Sequence, residues 1–117
     1  MMDKLMREIG ELCDVEFARA NKQHPAFASD HEGHDVLKEE IDETGDAFDK
    51  VCEAECAMNQ AIRKNDEAEA RKIAIELYDR ALETAAEAVQ TAAMAQKIVK
   101  SQDLRGSRGW IPPCHLV

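Results

Sequence analysis

Two long runs of helical periodicity, separated by one short polar turn, limit what this chain can fold into. One face of the first run carries Leu37, Ile41, Phe48, Val51, Met58 and Ile62. The second run carries a stripe of mostly small residues, namely Ala74, Leu77, Ala81, Ala85, Ala88, Ala92, Ala95 and Val99. Between the runs, residues 63–66 read RKND, and Asn65 or Asp66 can cap the following helix. The pattern predicts an antiparallel hairpin over residues 30–100, with its turn near Asn65.

A shorter amphipathic helix is predicted ahead of the hairpin, over residues 2–20, with Gly10 as its weak point. His24-Pro25 then disfavours helix. Ser29 followed by Glu32 is a capping-box pattern and predicts the start of the next helix. Gly45 interrupts that helix and is a candidate kink.

Composition favours the same architecture. Hydrophobic residues make up 44% of the chain but aromatic residues only 4%, so the core must be built from small and aliphatic side chains. We therefore expect an all-α fold, in which a short N-terminal helix and a long antiparallel helical hairpin assemble into a helical bundle. The domain is assigned to residues 1–100, and residues 101–117 are predicted to form an irregular tail, either flexible or docked through Trp110 and Ile111.

Charge and cysteine content restrict the partners. Fifteen basic and 24 acidic residues give a net charge of −9, which repels nucleic acids and attracts divalent cations. The four cysteines form no C-x-x-C pair, and we interpret Cys13, Cys52, Cys56 and Cys114 as reduced thiols. No apolar run reaches the roughly 20 residues that span a bilayer, and the charged N-terminal stretch has no signal-peptide core. A cytoplasmic protein without membrane contacts is expected.

Acidic residues crowd the start of the second helix, where residues 39–43 read EEIDE. On a helical wheel, Glu40 falls within the apolar sector, Glu43 at its edge and Glu39 further out, and Glu55 also points inward. A turn at Asn65 places Glu43 opposite Glu87.

The same turn places Glu40 opposite Gln90. Carboxylates converging from two antiparallel helices describe a Mg²⁺ or Mn²⁺ site. The alternative is an ordinary solvated acidic surface, which helices often carry.

Two blocks of this sequence resemble the MazG-like, all-α nucleoside triphosphate pyrophosphohydrolase superfamily, and in particular its phage- and prophage-associated branch. The blocks read HPAFASDHEGHDVLKEEIDE and ETAAEAVQTAAMAQK, and the likeness covers about a third of the chain, near residues 24–50 and 83–97. The superfamily motif E-E-x-x-E falls on Glu39, Glu40 and Glu43. Its second half, E-x-x-D, falls on Glu87, but Gln90 stands where the family has aspartate.

The resemblance implies Mg²⁺- or Mn²⁺-dependent cleavage of a nucleoside triphosphate to a monophosphate and pyrophosphate. It implies metal ligation by Glu40, Glu43 and Glu87 and a catalytic role for Glu39 in orienting water or a second cation. Gln90 is a candidate substrate-binding residue. His31 and Phe27 are candidates for contacting the nucleotide base, because the loop before the second helix brings them close to the carboxylates.

The alternative function is a non-catalytic relative that binds nucleotide or metal, or a helical interaction protein, and Gln90 is the main argument for it. A homodimer or homotetramer is expected in either case, because the short first helix cannot cover all of the hairpin's apolar surface.

Overall fold

The computed structural model describes residues 2–106, which fold into three helices joined by two short connections. The helices are α1 (Met2–Gln23), α2 (Asp30–Arg63) and α3 (Glu67–Leu104), and none of the described residues forms a strand. The all-α class and the long hairpin after a short N-terminal helix are confirmed. Within residues 2–106, no helix is long and apolar enough to cross a membrane. The predictions for Trp110, Ile111 and Cys114 fall outside the described residues.

The turn between α2 and α3 closes as a Schellman motif. Asn65 adopts the left-handed conformation with φ of 57°, which asparagine tolerates better than most residues. The Asp66 amide donates to the Ala61 carbonyl at 2.9 Å and the Asn65 amide donates to the Ile62 carbonyl at 3.0 Å. The Asp66 carboxylate then accepts from the Glu69 amide at 3.1 Å and caps α3. The predicted turn at Asn65 is confirmed.

The start of α2 is capped by the two residues that the sequence indicated. The Ser29 hydroxyl oxygen accepts a hydrogen bond from the Glu32 amide at 3.2 Å. The Glu32 carboxylate reaches back and accepts from the Ala28 amide at 2.9 Å. This is a capping box in which the glutamate bonds the amide one residue before the usual one, and it fixes where the chain leaves the loop.

The described chain divides into two compact units, one of residues 2–40 with 89–106 and the other of Ile41–Ala88. In the first unit, Phe27, Ala93 and Met94 form the buried core. Side chains from all three helices pack against this core: Phe17, Ala20, Val36, Leu37 and Ile98.

The loop before α2 is held against α3 through Phe27. Its amide donates to the buried Ser101 hydroxyl at 2.8 Å, and its carbonyl accepts from Arg105 Nη1 at 2.9 Å. Arg105 Nη2 also donates to Asp30 at 2.7 Å. Lys97 places its ammonium 4.6 Å from the Phe27 ring centroid. Burial lowers the pKa of Lys97, while the charge of Glu32 acts in the opposite direction.

The unit Ile41–Ala88 holds the turn end of the hairpin. Its core consists of Ala54, Ala61 and Ile73, with Met58, Ala70 and Leu77 packed around them. Alanines on α2 let the two helices approach closely, and the longer side chains fill the remaining space.

The alanine stripe predicted for the interior of α3 is not there. Ala74, Ala81, Ala85, Ala88, Ala92 and Ala95 are all exposed. The half-buried and buried positions between residues 70 and 87 are instead Ala70, Ile73, Leu77, Arg80, Thr84 and Glu87. The polar members of this face have local partners, since the Thr84 hydroxyl donates to the Arg80 carbonyl at 2.9 Å. A hydroxyl bonded within its own helix can be turned inward at little cost.

The predicted face of α2 is only partly correct. Leu37, Val51 and Met58 are half-buried, as expected. Ile41, Phe48 and Ile62 are instead 48%, 54% and 57% exposed. Glu55 was predicted to point inward but is exposed. The predicted face follows the large apolar residues of α2. The actual contact with α3 is formed by small residues such as Ala54 and Ala61.

Substituting Gly33 by alanine tests how tightly the first unit is packed. A Cβ added there would lie 2.9 Å from Ile98 Cγ1 and 3.1 Å from Phe27 Cδ2, so Gly33→Ala should lower the free energy of unfolding by about 1–3 kcal/mol. Gly10→Ala is the control, because nothing lies within 4 Å of its added Cβ, and it should raise stability by roughly 0.5–1 kcal/mol. Urea unfolding of both variants measures this, and a Gly33→Ala protein as stable as Gly10→Ala would contradict the packing.

Candidate metal centre

Three carboxylates converge on the hairpin. One oxygen from each of Glu40, Glu43 and Glu87 lies within 4.8 Å of the other two, and this is the only such group of three potential ligands among residues 2–106. Glu40 and Glu43 are one turn apart on α2. Glu43 and Glu87 are each 22 residues from Asn65, so the turn places them at the same level on the facing helices.

The cluster is partly withdrawn from water. Glu40 and Glu87 are half-buried, and each has one carboxylate oxygen shielded from solvent. Glu43 is exposed. Removing charged oxygens from water costs free energy, so this arrangement differs from a fully solvated acidic surface.

The proton affinity of Glu87 reflects these surroundings. Burial raises the pKa of Glu87 most, followed by the charge of Glu43, a hydrogen bond with Glu43 and the charge of Glu83. The hydrogen bond favours the neutral form, in which the protonated Glu87 donates to Glu43. Glu87 therefore retains its proton to higher pH than a solvated glutamate would.

The other predicted site residues lie at different distances from this cluster. Glu39 is exposed and adjoins Glu40 on α2, and Gln90 is half-buried one turn after Glu87 on α3. His31 is exposed near the start of α2. It lies nine residues before Glu40, or about 13 Å along the helix axis. The structure therefore brings Glu40, Glu43 and Glu87 together, with Gln90 near them, and does not bring His31 to the cluster.

Phe27 is the other candidate for a position near the nucleotide base. It is 6% exposed and belongs to the core of the first unit. With Lys97 over its ring, Phe27 has no open face on which a nucleobase could stack.

Arg80, two turns before Glu87 on α3, is a charged residue of the inner face that the sequence did not single out. It is half-buried and lies within 3.8 Å of Glu76 and 3.6 Å of Glu83. The signal that could have identified it is the spacing of the two glutamates, four residues before and three after the arginine. Glu76 is thus occupied by an ion pair with Arg80.

The donor set suits a hard divalent cation. All three groups offer carboxylate oxygen, which Mg²⁺ and Mn²⁺ prefer, and no thiol or imidazole belongs to the cluster. Two oxygens on one Mg²⁺ can be at most about 4.2 Å apart, given metal–oxygen distances of about 2.1 Å. Oxygens already within 4.8 Å of one another need only small side-chain adjustments to bind one ion.

Comparisons with known proteins supply no relative for this chain. No protein-family model matches it, and neither a curated protein nor a solved structure does. The chemistry proposed below therefore depends on the carboxylate cluster and on the two sequence blocks that contain it.

The raised pKa of Glu87 predicts a pH dependence of stability in the metal-free protein. The native state binds this proton more tightly than the unfolded chain does. The contribution of this proton to the free energy of unfolding is therefore complete below the ordinary glutamate pKa. It is lost as pH rises through the native-state pKa of Glu87. Glu87→Gln mimics the protonated form, so its stability relative to wild type should increase as the pH rises above the ordinary glutamate pKa of about 4.3.

Urea unfolding in the presence of a chelator measures this difference. Glu53→Gln, an exposed glutamate of the same unit, is the matched control and should show no such trend. A difference between Glu87→Gln and wild type that stays constant with pH would contradict the raised pKa of Glu87.

Proposed function

We propose that this protein is a metal-dependent nucleotide pyrophosphohydrolase that cleaves a nucleoside triphosphate to a nucleoside monophosphate and pyrophosphate. The observation that carries the proposal is the convergence of Glu40, Glu43 and Glu87 from two facing helices. The resemblance to the MazG-like superfamily supplies the substrate class, because its E-E-x-x-E motif falls on two of these three residues and on Glu39.

Glu40, Glu43 and Glu87 would hold Mg²⁺ or Mn²⁺. When bound, the cation would neutralise phosphate charge and stabilise the charge that develops on the phosphorus oxygens. Such neutralisation is needed here because the chain carries a net charge of −9 and by itself repels a triphosphate. Because the pKa of Glu87 is raised, cation binding would compete with protonation of this carboxylate.

Glu39 is suited to the proton transfer. It is exposed and adjoins Glu40, so its carboxylate can orient a water molecule and accept its proton. The water oxygen would attack the α-phosphorus, and the bond between that phosphorus and the oxygen bridging it to the β-phosphate would break. Pyrophosphate leaves with that oxygen and its electron pair.

Gln90 and His31 are assigned to substrate binding. The amide of Gln90, half-buried one turn after Glu87, can donate a hydrogen bond to a phosphate oxygen. His31 is too far along α2 to contact the same phosphate, so any contact it makes is with the nucleoside end.

A second candidate function is supported by Gln90 itself. A neutral amide stands where the superfamily motif has an aspartate, which removes one negative charge next to the cluster. A protein with this change can retain metal or nucleotide binding while lacking turnover. The two functions differ in one measurable quantity, pyrophosphate release.

Glu40→Gln tests the site. The substitution removes a charged ligand while keeping the side-chain size, so it should abolish pyrophosphate release and the rise in melting temperature that Mg²⁺ or Mn²⁺ produces. Glu76→Gln is the control: Glu76 is exposed and paired with Arg80, and its loss should leave both measurements largely unchanged. Calorimetry and a pyrophosphate-release screen of nucleoside triphosphates supply the data.

Each outcome of that screen has a distinct meaning. A metal-induced shift in melting temperature that survives Glu40→Gln, or one that disappears in Glu76→Gln, would overturn the site. If the shift in melting temperature requires Glu40 but no nucleotide is cleaved, the metal site is supported and the protein is a non-catalytic relative of the enzyme.

Gln90→Asp restores the charge of the superfamily motif. The added carboxylate adjoins the cluster, so the affinity for Mg²⁺ should increase by on the order of tenfold, or about 1.4 kcal/mol. Gln60→Asp adds the same charge at an exposed position near the turn and should have a much smaller effect. Isothermal titration of both variants compares them, and equal affinities would remove Gln90 from the site.

A further inference from the structure

Two cysteines lie on the outer side of α2, away from the core of the hairpin unit. Cys52 and Cys56 are free thiols and both are exposed, whereas Cys13 is buried. At about 100° per residue, both point nearly opposite to Ala54 and Ala61, which contact α3. Cysteine is among the residue types most often buried, and its chemistry rather than its packing usually explains an exception. Two exposed thiols on one helix therefore call for a chemical explanation.

The spacing of these two thiols brings their side chains together. Cys52 and Cys56 are four residues apart, so they are neighbours on one face of the helix, with Cβ atoms about 5–6 Å apart. A disulfide requires Cβ atoms about 3.5–4.5 Å apart. The continuous helix Asp30–Arg63 therefore holds the two sulfurs close to each other but does not let them bond directly without distortion.

A metal ion between the two sulfurs removes this mismatch. Thiolate bonds to first-row metal ions are about 2.3 Å long, so two sulfurs on opposite sides of one ion lie about 4.6 Å apart. Each sulfur is one bond beyond its Cβ atom, and the Cβ atoms are about 5–6 Å apart. Rotation of the two side chains between staggered positions is enough to reach the required separation.

The number of ligands selects the ion. Among residues 2–106, Glu40, Glu43 and Glu87 form the only group of three potential metal ligands, so no third ligand joins the two cysteines. Zn²⁺ takes four ligands in nearly every structural site, whereas Cu(I) is satisfied by two sulfurs in a linear arrangement. Thiolates also prefer soft ions such as Cu(I) to hard ions such as Mg²⁺.

We propose that Cys52 and Cys56 together bind one Cu(I) ion in a linear two-sulfur site. Each thiol gives up its proton and each sulfur donates an electron pair to the ion, so one Cu(I) replaces two protons and nothing is oxidised or reduced. The site is separate from the carboxylate cluster, because Cys52 lies nine residues after Glu43 on α2, or about 13 Å along the helix axis. The soft pair and the hard cluster thus select different ions.

Moving one thiol by a single residue tests the spacing. Ala57 is exposed and follows Cys56, so the double variant Cys56→Ser/Ala57→Cys keeps the number of exposed thiols. The moved thiol lies about 140° around the helix from Cys52, compared with about 40° for Cys56. Wild type should bind one Cu(I) per chain. The double variant and Cys52→Ser should each bind Cu(I) at least about a hundredfold more weakly.

Titration of the reduced protein with Cu(I) under argon, in competition with bicinchoninate, gives the affinity and the stoichiometry. Cys13→Ser removes a buried thiol, and Cys114→Ser removes one beyond the described residues; neither should change the affinity. X-ray absorption at the copper edge should show two sulfur neighbours. Circular dichroism verifies the helices in each variant.

Four results would overturn the site. These are wild-type affinity in Cys52→Ser, wild-type affinity in the double variant, loss of binding in Cys13→Ser or Cys114→Ser, and three or more sulfur neighbours around copper. The second would show that any two exposed thiols suffice, and the last would show that further cysteines are recruited. Mg²⁺ and nucleotide are absent from these titrations, so the results are independent of whether the protein is a pyrophosphohydrolase.

Discussion

The hydrogen-bonded turn at Asn65 and Asp66 is the constraint on which the rest of the hairpin depends. The Schellman closure fixes the residue at which α2 ends, and the Asp66 cap fixes where α3 begins. The register between the helices follows from these two points. A shift of one residue would rotate one helix by about 100° relative to the other and would separate Glu43 from Glu87. The carboxylate cluster therefore exists because the turn is specified.

The inner face of the hairpin changes character along its length, and this change positions the site. Near the turn it is apolar, with Ala61, Ile73 and Leu77. Further from the turn it becomes polar, and burial together with the charge of Glu43 raises the pKa of Glu87 there. Like charges at a half-buried contact oppose folding. A helix pair selected for stability alone would place apolar residues at these positions, and a bound cation would offset the cost.

The sequence by itself determined the helices, the Ser29 and Asp66 caps and the turn, because these depend on residues close together in the chain. It also indicated that Glu43 and Glu87 would meet, since counting from the turn gives the register. Only the tertiary structure decided which side of each helix faces inward. An alanine stripe buries too little apolar area to fix the rotation of α3, and the longer Ile73 and Leu77 fix it instead. Likewise, the bond between the Phe27 amide and Ser101 joins residues 74 positions apart, and no local pattern specifies it.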